Sequence, residues 1–299
     1  MRVFVTGGTG FVGRELVSQL LAAEHEVICL ARAGAEGKLA RHDRLRAQPG
    51  DAVSGDGLDQ GMAGCDAAIH LIGIIREFPS RGITFEKLHV QATERVVAAC
   101  RKNGIRRYLH MSANGTRPDA VSPYHRTKWR AEELVRNSNL DWTIFRPSLI
   151  YGPGDQFVNM LAGQVRRLPA VPVIGDGSYR MSPVAVQDVA SSFVRALERP
   201  ATIGQCYHCG GPESLSYNEI LDTIGRVLGK NRVCKLPNPV GLLRPLVSLL
   251  EGFSAFPLTR SQMTMLLEGN EVDPTAWAKD FDIEPVPFEE GIRAYLKQA

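Results

Sequence analysis

The sequence lacks an apolar run long enough to cross a membrane. A spanning helix needs about 20 apolar residues in succession, and the most apolar late segment, residues 240–250, is interrupted by Arg244 and Pro245. We expect this segment to cover a core, with a place at a membrane interface as the alternative. No signal or transit peptide precedes the first apolar run, so we expect a cytoplasmic protein, with a peripheral membrane position as the alternative.

An excess of charge of one sign is also missing. The formal net charge is +3 at pH 7, which is too small for the basic surface of a nucleic-acid-binding protein. We therefore expect no nucleic-acid partner. The hydrophobic and charged fractions, 44% and 22%, are those of an ordinary globular protein.

Cysteine is sparse, and its spacing argues against a metal centre. Cys29, Cys65 and Cys100 lie in or beside apolar runs, which predicts buried thiols in a reducing compartment. Cys206 and Cys209 have C-x-x-C spacing, but no second pair stands at the distance that zinc sites use. We therefore expect no metal.

A glycine motif opens the chain. Residues 3–6 form an apolar run long enough for a buried strand. Gly7, Gly10 and Gly13 follow at a spacing of three, and a helical pattern comes next. In this context the motif predicts dinucleotide binding, with a glycine-rich turn that binds no ligand as the alternative. Gly7 permits the tight turn, Gly10 the approach of a pyrophosphate and Gly13 close helix packing. Amides at the helix N-terminus would hold the phosphate. The predicted cofactor loop consists of Gly7, Thr9, Gly10, Phe11 and Val12.

The end of the second predicted strand carries no acidic residue. The strand closes with Ala31 and Arg32. A site that prefers NAD(H) usually places Asp or Glu there, where it bonds the ribose hydroxyls. Arg32 can instead pair with a 2′-phosphate, so we predict NADP(H) as the cofactor, with NAD(H) less favoured. A solvated arginine without a ligand is the alternative. Further positive charge could come from Arg41, Arg44 and Arg46, in a polar loop or helix.

Strands and helices alternate through the first half of the chain. After the glycine motif, predicted strands lie at 26–32, 51–56, 67–72, 108–111 and 142–145. The alternation is typical of an α/β fold with a mostly parallel, doubly wound sheet of the Rossmann type. We predict this sheet over residues 1–152, with part of 178–200 returning to it. A smaller mixed α/β substrate lobe is predicted over 153–299.

Other predicted cofactor contacts follow the later strands. Asp56 could accept a hydrogen bond from an adenine amino group, although an aspartate that forms a turn is the alternative. Gly73 follows the fourth strand and would let the backbone approach the cofactor. The remaining predicted contacts are Gly57, Leu71, Ile72 and Pro147.

A second motif opens the helix after the fifth strand. Ser122 is a good N-cap and Pro123 a good first residue. Tyr124 and Lys128 then lie four positions apart on one helical face. The ammonium would lower the pKa of the phenol and could hold the nicotinamide ribose, so that Tyr124 exchanges a proton with a carbinol or carbonyl oxygen during hydride transfer. An exposed tyrosine beside a solvated lysine is the alternative.

Together these motifs resemble an extended or atypical short-chain dehydrogenase/reductase of the epimerase/dehydratase type. The resemblance is carried by residues 6–13, Gly55-Asp56, Tyr124 with Lys128, Arg146-Pro147 and residues 151–153. Later stretches are similar to the subgroup that contains the nucleotide-binding accessory subunit of respiratory complex I. These stretches are 184–190, 210–213 and 258–262.

The chain departs from the family pattern at two supporting positions. Active members usually carry Ser or Thr just past the fifth strand, where the resemblance places Ala113, with Ser112 one position earlier. The family's helix asparagine, which orders a relay water, is replaced by His89. The resemblance therefore implies Tyr124 as acid/base, Lys128 as its electrostatic partner and Ser112 as an orienting group, with turnover left open.

Two functions remain open on this resemblance. One is an NADP(H)-dependent oxidoreductase, epimerase or dehydratase acting on a hydroxy- or keto-bearing small molecule. The other is a non-catalytic NADP(H)-binding structural or sensor protein, associated with a membrane surface or a respiratory complex. The sequence names no substrate and leaves the oligomeric state open.

Overall fold

The computed structural model of the chain describes residues 1–251 and 258–296. They form two compact units. The first unit consists of Met1–Pro147, Val186–His208 and Thr275–Ile283. The second unit consists of Ser148–Ala185, Cys209–Pro274 and Glu284–Ala299.

The first unit is built on a seven-stranded sheet. Its strands are β1 (Arg2–Thr6), β2 (Glu26–Ala31), β3 (Leu45–Pro49), β4 (Ala67–His70), β5 (Arg107–Met111), β6 (Asp141–Pro147) and β11 (Gln205–Cys209). Their order is β3-β2-β1-β4-β5-β6-β11, and β1 to β6 pair in parallel. The predicted α/β class with a doubly wound parallel sheet is confirmed.

Helices of the first unit pack on this sheet. They are α1 (Phe11–Ala22), α2 (Leu58–Met62), α3 (Ala92–Lys102), α4 (Pro123–Arg136), α6 (Val186–Ala196) and α10 (Thr275–Asp280). A π-helical segment, Glu86–Gln91, runs directly into α3. Strand order reverses between β1 and β4, and in such sheets ligands bind outside the carboxyl ends of the strands at that point.

The division of the chain differs from the predicted boundary at residue 152. The opening segment of the first unit ends with β6, at Pro147. The returning segment runs from Val186 to His208 because it contains α6 and nearly all of β11, the edge strand beside β6. Residues 252–257 and 297–299 of the predicted lobe lie outside the described residues.

The third strand lies earlier than predicted, so its placement at 51–56 was wrong. Strand β3 pairs with β2 from Leu45 to Pro49, whereas Asp51 and Asp56 close a turn through an isolated bridge. An edge strand such as β3 can be polar, and its residues are mostly exposed, so no apolar run announces it. Arg46 consequently belongs to a strand rather than to a loop or helix.

Three of the cysteines are buried like small apolar residues, and the C-x-x-C pair does not form a joint site. Cys29, Cys65 and Cys100 are buried free thiols, as predicted. Cys206 and Cys209 are both on β11. Side chains three apart in a strand project to opposite faces, so these two thiols cannot bind one ligand together.

The second unit is built around three helices and three two-stranded sheets. The helices are α5 (Phe157–Arg167), α7 (Tyr217–Val227) and α11 (Phe288–Leu296), and their apolar faces share one core. The strand pairs are β7 (Ile150–Tyr151) with β10 (Val184–Ala185), β9 (Arg180–Met181) with β12 (Leu215–Ser216), and β8 (Val171–Ile174) with β13 (Lys235–Asn238). Capping boxes begin α7 at Ser216 and α9 (Arg260–Glu268) at Thr259.

The apolar segment 240–250 forms α8 (Val240–Leu250). Of its residues, all of which the structure describes, Val247 alone is buried. The prediction that this segment covers a core was therefore wrong, because the composition of a run does not say which of its sides has a partner. Within residues 1–251 and 258–296, no helix is long and apolar enough to cross a membrane.

Candidate functional site

The glycine motif forms the turn between β1 and α1. Gly7 has a left-handed backbone with φ +78°, and its carbonyl accepts from the Gly10 N–H at 3.0 Å. A Cβ on Gly13 would lie 2.1 Å from the Gly7 oxygen, so only glycine lets α1 approach the turn this closely. Glycine is thus required at the two outer positions for different reasons, which are the backbone conformation at Gly7 and the close helix contact at Gly13.

The start of α1 fits a pyrophosphate. Its N-cap, Gly10, supplies no side-chain oxygen, and the first turn holds no acidic residue, so the first amides of the helix can serve an external anion. A Cβ on Gly10 would meet one described atom within 4 Å, the Gly7 oxygen at 3.2 Å, which leaves open space before the loop. Thr9 and Phe11 are half-buried and Val12 is buried, so Phe11 and Val12 would contribute chiefly backbone N–H groups.

The segments that follow β1, β4 and β5 meet at this point. The Leu71 N–H donates to the last carbonyl of β1 at 3.2 Å, and a Cβ on Gly7 would lie 3.2 Å from Ile72 N. A Cβ on Gly73 would lie 3.0 Å from Lys128 Nζ. The structure therefore brings the glycine turn, residues 71–73 and Lys128 together at the switch point of the sheet.

Lys128 is buried, with 3% of its surface exposed. Its Nζ donates to the Met111 carbonyl at 2.9 Å. Burial lowers the pKa of Lys128 to about 8, and the Glu132 carboxylate acts in the opposite direction. An ammonium has three donor hydrogens, and among the described residues the Met111 carbonyl accepts one of them. The other two can donate to the hydroxyls of a ribose bound next to Gly73.

Tyr124 lies on the same face of α4, inside an aromatic cluster. Its ring makes edge contacts with Phe85, His89 and His125, at centroid distances of 5.7, 5.2 and 5.2 Å. Burial raises the pKa of Tyr124 to about 12. The lowering predicted from the spacing was therefore wrong for the protein alone, because the aromatic rings exclude water while the Lys128 ammonium is bonded to the backbone.

His89 occupies the position where the family pattern has asparagine. Its Nδ1 lies 2.8 Å from Thr127 Oγ1, and its Nε2 lies 3.2 Å from both N and O of Ile74. Burial lowers the pKa of His89 to about 2, so the ring is neutral. In either tautomer both ring nitrogens are engaged by Thr127 and Ile74, which leaves neither a proton nor a lone pair of His89 for a relay water.

The loop after β5 contains the predicted orienting group. Ser112 is 4% exposed, and its hydroxyl donates to Thr116 Oγ1 at 3.4 Å. Ala113 follows and carries no hydroxyl. The Pro147 carbonyl accepts from Asn114 N–H at 2.9 Å, so Pro147 does join this loop, while the Ser112 hydroxyl is engaged within the protein.

Glu132, four residues after Lys128 on α4, is a further residue of the site that the sequence motifs do not include. Its side chain is fully buried. It accepts from Arg146 at 2.8 and 2.6 Å and from Arg136 at 2.8 Å, so a buried carboxylate shared by two arginines lies one turn from the lysine. The repeated spacing of four from Tyr124 could have indicated it, since such positions share a helix face.

Two predicted cofactor contacts, Arg32 and Asp56, lie in the segments that follow β2 and β3. Arg32 follows β2 and is exposed. Asp56 is exposed, and its carboxylate accepts from Ser54 Oγ at 2.7 Å. Gly57 has φ +75°, and a Cβ there would lie 2.2 Å from the Pro49 oxygen, so the turn itself requires this glycine.

A cavity of about 790 Å³ lies beside the glycine turn, with Gly8 in its wall. Its basic lining residues are Arg14, Lys38, Arg41 and Arg44. Two of the three arginines predicted to add charge thus face one cavity, and Arg46 on β3 is not part of its lining. Glu24 also lines the cavity and pairs with Arg44 at 3.5 Å, whereas Arg32 is not part of the lining. The net positive charge of the lining suits a phosphate-bearing ligand.

Known proteins are similar to this chain in sequence and in architecture. The model of the NAD dependent epimerase/dehydratase family matches residues 3–210. A mitochondrial NADH dehydrogenase (ubiquinone) 1 alpha subcomplex subunit 9 from Arabidopsis thaliana is 31% identical over 246 residues, which are 79% of this chain and 60% of the relative. The chain thus spans less than two thirds of that subunit. A 2-alkyl-3-oxoalkanoate reductase from Stenotrophomonas maltophilia is 28% identical over 98% of each chain.

A solved enzyme has the same fold. UDP-glucuronic acid 4-epimerase from Bacillus cereus, determined with UDP-glucuronic acid and NAD, has a TM-score of 0.80 at 20% identity, over 100% of this chain and 99% of its own. At that identity the likeness concerns the fold alone. The glycine cradle, the open helix N-terminus and the buried lysine fit a nicotinamide dinucleotide, and with the match over residues 3–210 they show that this chain belongs to the NAD dependent epimerase/dehydratase family.

Proposed function

We propose that the chain binds NADP(H) in preference to NAD(H). The observation that carries the proposal is the end of β2, where Arg32 is exposed, has no ion-pair partner among the described residues and stands where NAD-preferring sites place a carboxylate. The basic cavity beside the glycine turn supports it. Because the solved epimerase was determined with NAD, the preference rests on the residues of this chain.

The cofactor proposal is tested by calorimetry with NADPH and NADH at fixed salt. Arg32→Ala should weaken NADPH by roughly 1.5–3 kcal/mol, the range for a hydrogen bond to a charged group, and should leave NADH nearly unchanged. Arg167→Ala, an exposed arginine of the second unit, is the control for a change in net charge. Equal or tighter binding of NADH by the unaltered chain contradicts the proposal.

We further propose that Tyr124 and Lys128 serve an oxidoreductase, epimerase or dehydratase reaction on a hydroxy- or keto-bearing small molecule. The nicotinamide supplies or accepts the hydride when it is bound. Lys128 would hold the ribose through its remaining donors, and the Tyr124 hydroxyl would exchange a proton with the reacting oxygen. The support is their shared helix face and the contact geometry between Lys128 and Gly73.

A non-catalytic NADP(H)-binding subunit is the second candidate. It is favoured by the engaged nitrogens of His89, by Ala113 in the place of a hydroxyl, and by the likeness to a respiratory-chain subunit. In that case the chain would associate with a respiratory complex or a membrane surface from the cytoplasm. Lys128 would still be needed to hold the cofactor, whereas Tyr124 would not.

Substitution of Tyr124 separates the two functions. In an enzyme, Tyr124→Phe should lower the rate by roughly 10²–10⁴ with little change in NADPH affinity. Ketones, quinones, sterol-like alcohols and nucleotide sugars are screened first, with products examined by mass spectrometry because epimerisation leaves the net redox state unchanged. Turnover that survives in Tyr124→Phe means that another group is the acid. Tight NADPH binding that depends on Lys128, without turnover of any compound, supports the non-catalytic subunit.

A further inference from the structure

Helix α8 of the second unit carries a row of exposed leucines. Leu242, Leu246 and Leu249 are 72%, 48% and 74% exposed, and their spacing of four and three residues places them on one face. Val247, 1% exposed, packs inward from another side of the helix. Leu236 on β13, four residues before α8, is a further 57% exposed. Single exposed leucines are common, whereas several on one helix face are typical of an interaction site.

The chain segment that carries this leucine row is basic. Residues 227–250 contain no Asp or Glu but include four basic residues. Lys235 pairs with Asp222 at 2.6 Å. Lys230, Arg232 and Arg244 are exposed and have no ion-pair partner among the described residues. The acidic residue next to α8, Glu251, is paired with Arg260 at 2.5 Å. An apolar row on a segment with three unpaired cations is complementary to a surface that is apolar inside and anionic at its rim.

We propose that α8 docks the chain on an anionic lipid bilayer, lying flat in the headgroup region. The leucine row would enter the boundary between headgroups and acyl chains, and the free cations would meet lipid phosphates. A helix over Val240–Leu250 is about 16 Å long, roughly half of the hydrocarbon thickness, so it suits the surface and cannot span. The proposal rests on neither proposed function, since its residues all belong to the second unit.

Charge and composition favour lipid over the other occupants. A second copy of the chain would set the same three cations against each other across a two-fold interface, and like charges so placed oppose association. The cores of protein interfaces are enriched in aromatic residues, while the row on α8 consists of leucine alone. Lipid needs neither side-chain hydrogen bonds nor shape complementarity from the helix.

Vesicle sedimentation of the full chain tests this docking. The probes are phosphatidylcholine vesicles and vesicles in which about one third of the lipid is phosphatidylglycerol. Leu242→Gln with Leu249→Gln should lower the partition onto anionic vesicles at least tenfold. The matched control is Met160→Gln with Leu168→Gln, two other apolar residues that are 41% and 44% exposed, and it should bind as the unaltered chain does.

Charge is tested separately. Arg232→Gln with Arg244→Gln should weaken binding to anionic vesicles about 10- to 30-fold, from about 1 kcal/mol for each basic residue, and should not change binding to neutral vesicles. NADPH affinity and the circular dichroism spectrum are measured in every variant and should both be unchanged, which shows that the cofactor site and the helices of both units are intact. No vesicle binding by the unaltered chain, or a leucine variant that binds fully, overturns the proposal. A dimer in light scattering that the leucine variant dissociates, without vesicle binding, assigns the row to a second copy instead.

Discussion

Replacing Lys128 by methionine should stabilise the protein while it weakens the cofactor complex. The pKa of Lys128 falls from 10.5 to about 8 on burial, and at 1.36 kcal/mol per pKa unit the charged lysine costs the fold about 3 kcal/mol at neutral pH. Methionine leaves the Met111 carbonyl without its donor, which takes back about 1 kcal/mol. The expected net gain is about 2 kcal/mol, or roughly 4–8 °C in Tm for a unit of this size.

The gain should depend on pH in a defined direction. Between pH 8 and 10.5 the unfolded chain holds the Lys128 proton and the folded chain does not. Stability therefore rises with pH in that window, and the full penalty is present below it. Lys128→Met removes this pH dependence, so its advantage is largest below pH 8 and disappears towards pH 10.5. This is the reverse of the pattern for a lysine that gains an ion pair.

The assay is thermal unfolding by circular dichroism at several pH values, with NADPH affinity measured alongside. Lys87→Met, which removes an exposed lysine from the π-helical segment, is the matched control and should change Tm little at any pH. Lys128→Met should weaken NADPH at least about tenfold through its lost donors. If Lys128→Met has a Tm at pH 7 equal to or below that of the unaltered chain, Lys128 is not a residue that lowers the stability of the fold in exchange for ligand binding.

Two further substitutions test the loop and the buried carboxylate. Gly10→Val should abolish NADPH binding while the protein stays folded, because the φ of −80° at Gly10 suits any residue and the space before it is open. Gly13→Ala should instead destabilise the fold, because its Cβ would lie 2.1 Å from a carbonyl oxygen. Normal NADPH binding by Gly10→Val contradicts the assignment of this loop to the cofactor. Glu132→Gln should lower the free energy of unfolding by roughly 3 kcal/mol, seen as a lower Tm, because a buried carboxylate shared by arginines loses its charge. The control Glu133→Gln, on the same helix, should change the free energy of unfolding by less than about 0.5 kcal/mol. Equal effects of the two substitutions contradict the buried network.

Residues with a single backbone use could be predicted from the sequence. Gly7 had to be glycine for its positive φ, and Gly13 for a contact too close for any Cβ, and each role follows from the strand, turn and helix around it. The alternating strands gave the sheet class for the same reason, because buried parallel strands are apolar throughout. Such features depend on residues that are adjacent in the chain, so the sequence reveals them.

Features that depend on neighbours distant in the chain could not be predicted from the sequence. Strand β3 is polar because it is an edge, and nothing near Leu45–Pro49 in the chain reveals its pairing with β2. The Tyr124 phenol was expected to feel the ammonium four residues away, but Phe85 and His89 lie around it and burial raises its pKa instead. The exposure of α8 likewise depends on what packs against each of its sides.

The site separates the holding of a cofactor from its use. Lys128 is buried beside Gly73, and Met111 accepts one of its ammonium hydrogens, so the proposed binding of a ribose by this lysine would use donors that are already in place. Proton transfer by Tyr124 requires a route for the proton, yet His89 has both nitrogens engaged and the Ser112 hydroxyl is bonded to a neighbour. Any reaction at this tyrosine must therefore draw its proton from the reacting molecule, the ribose or solvent. A reaction that returns the same proton within one turnover, as in epimerisation, makes a smaller demand on this site than a net reduction, which needs a new proton each time.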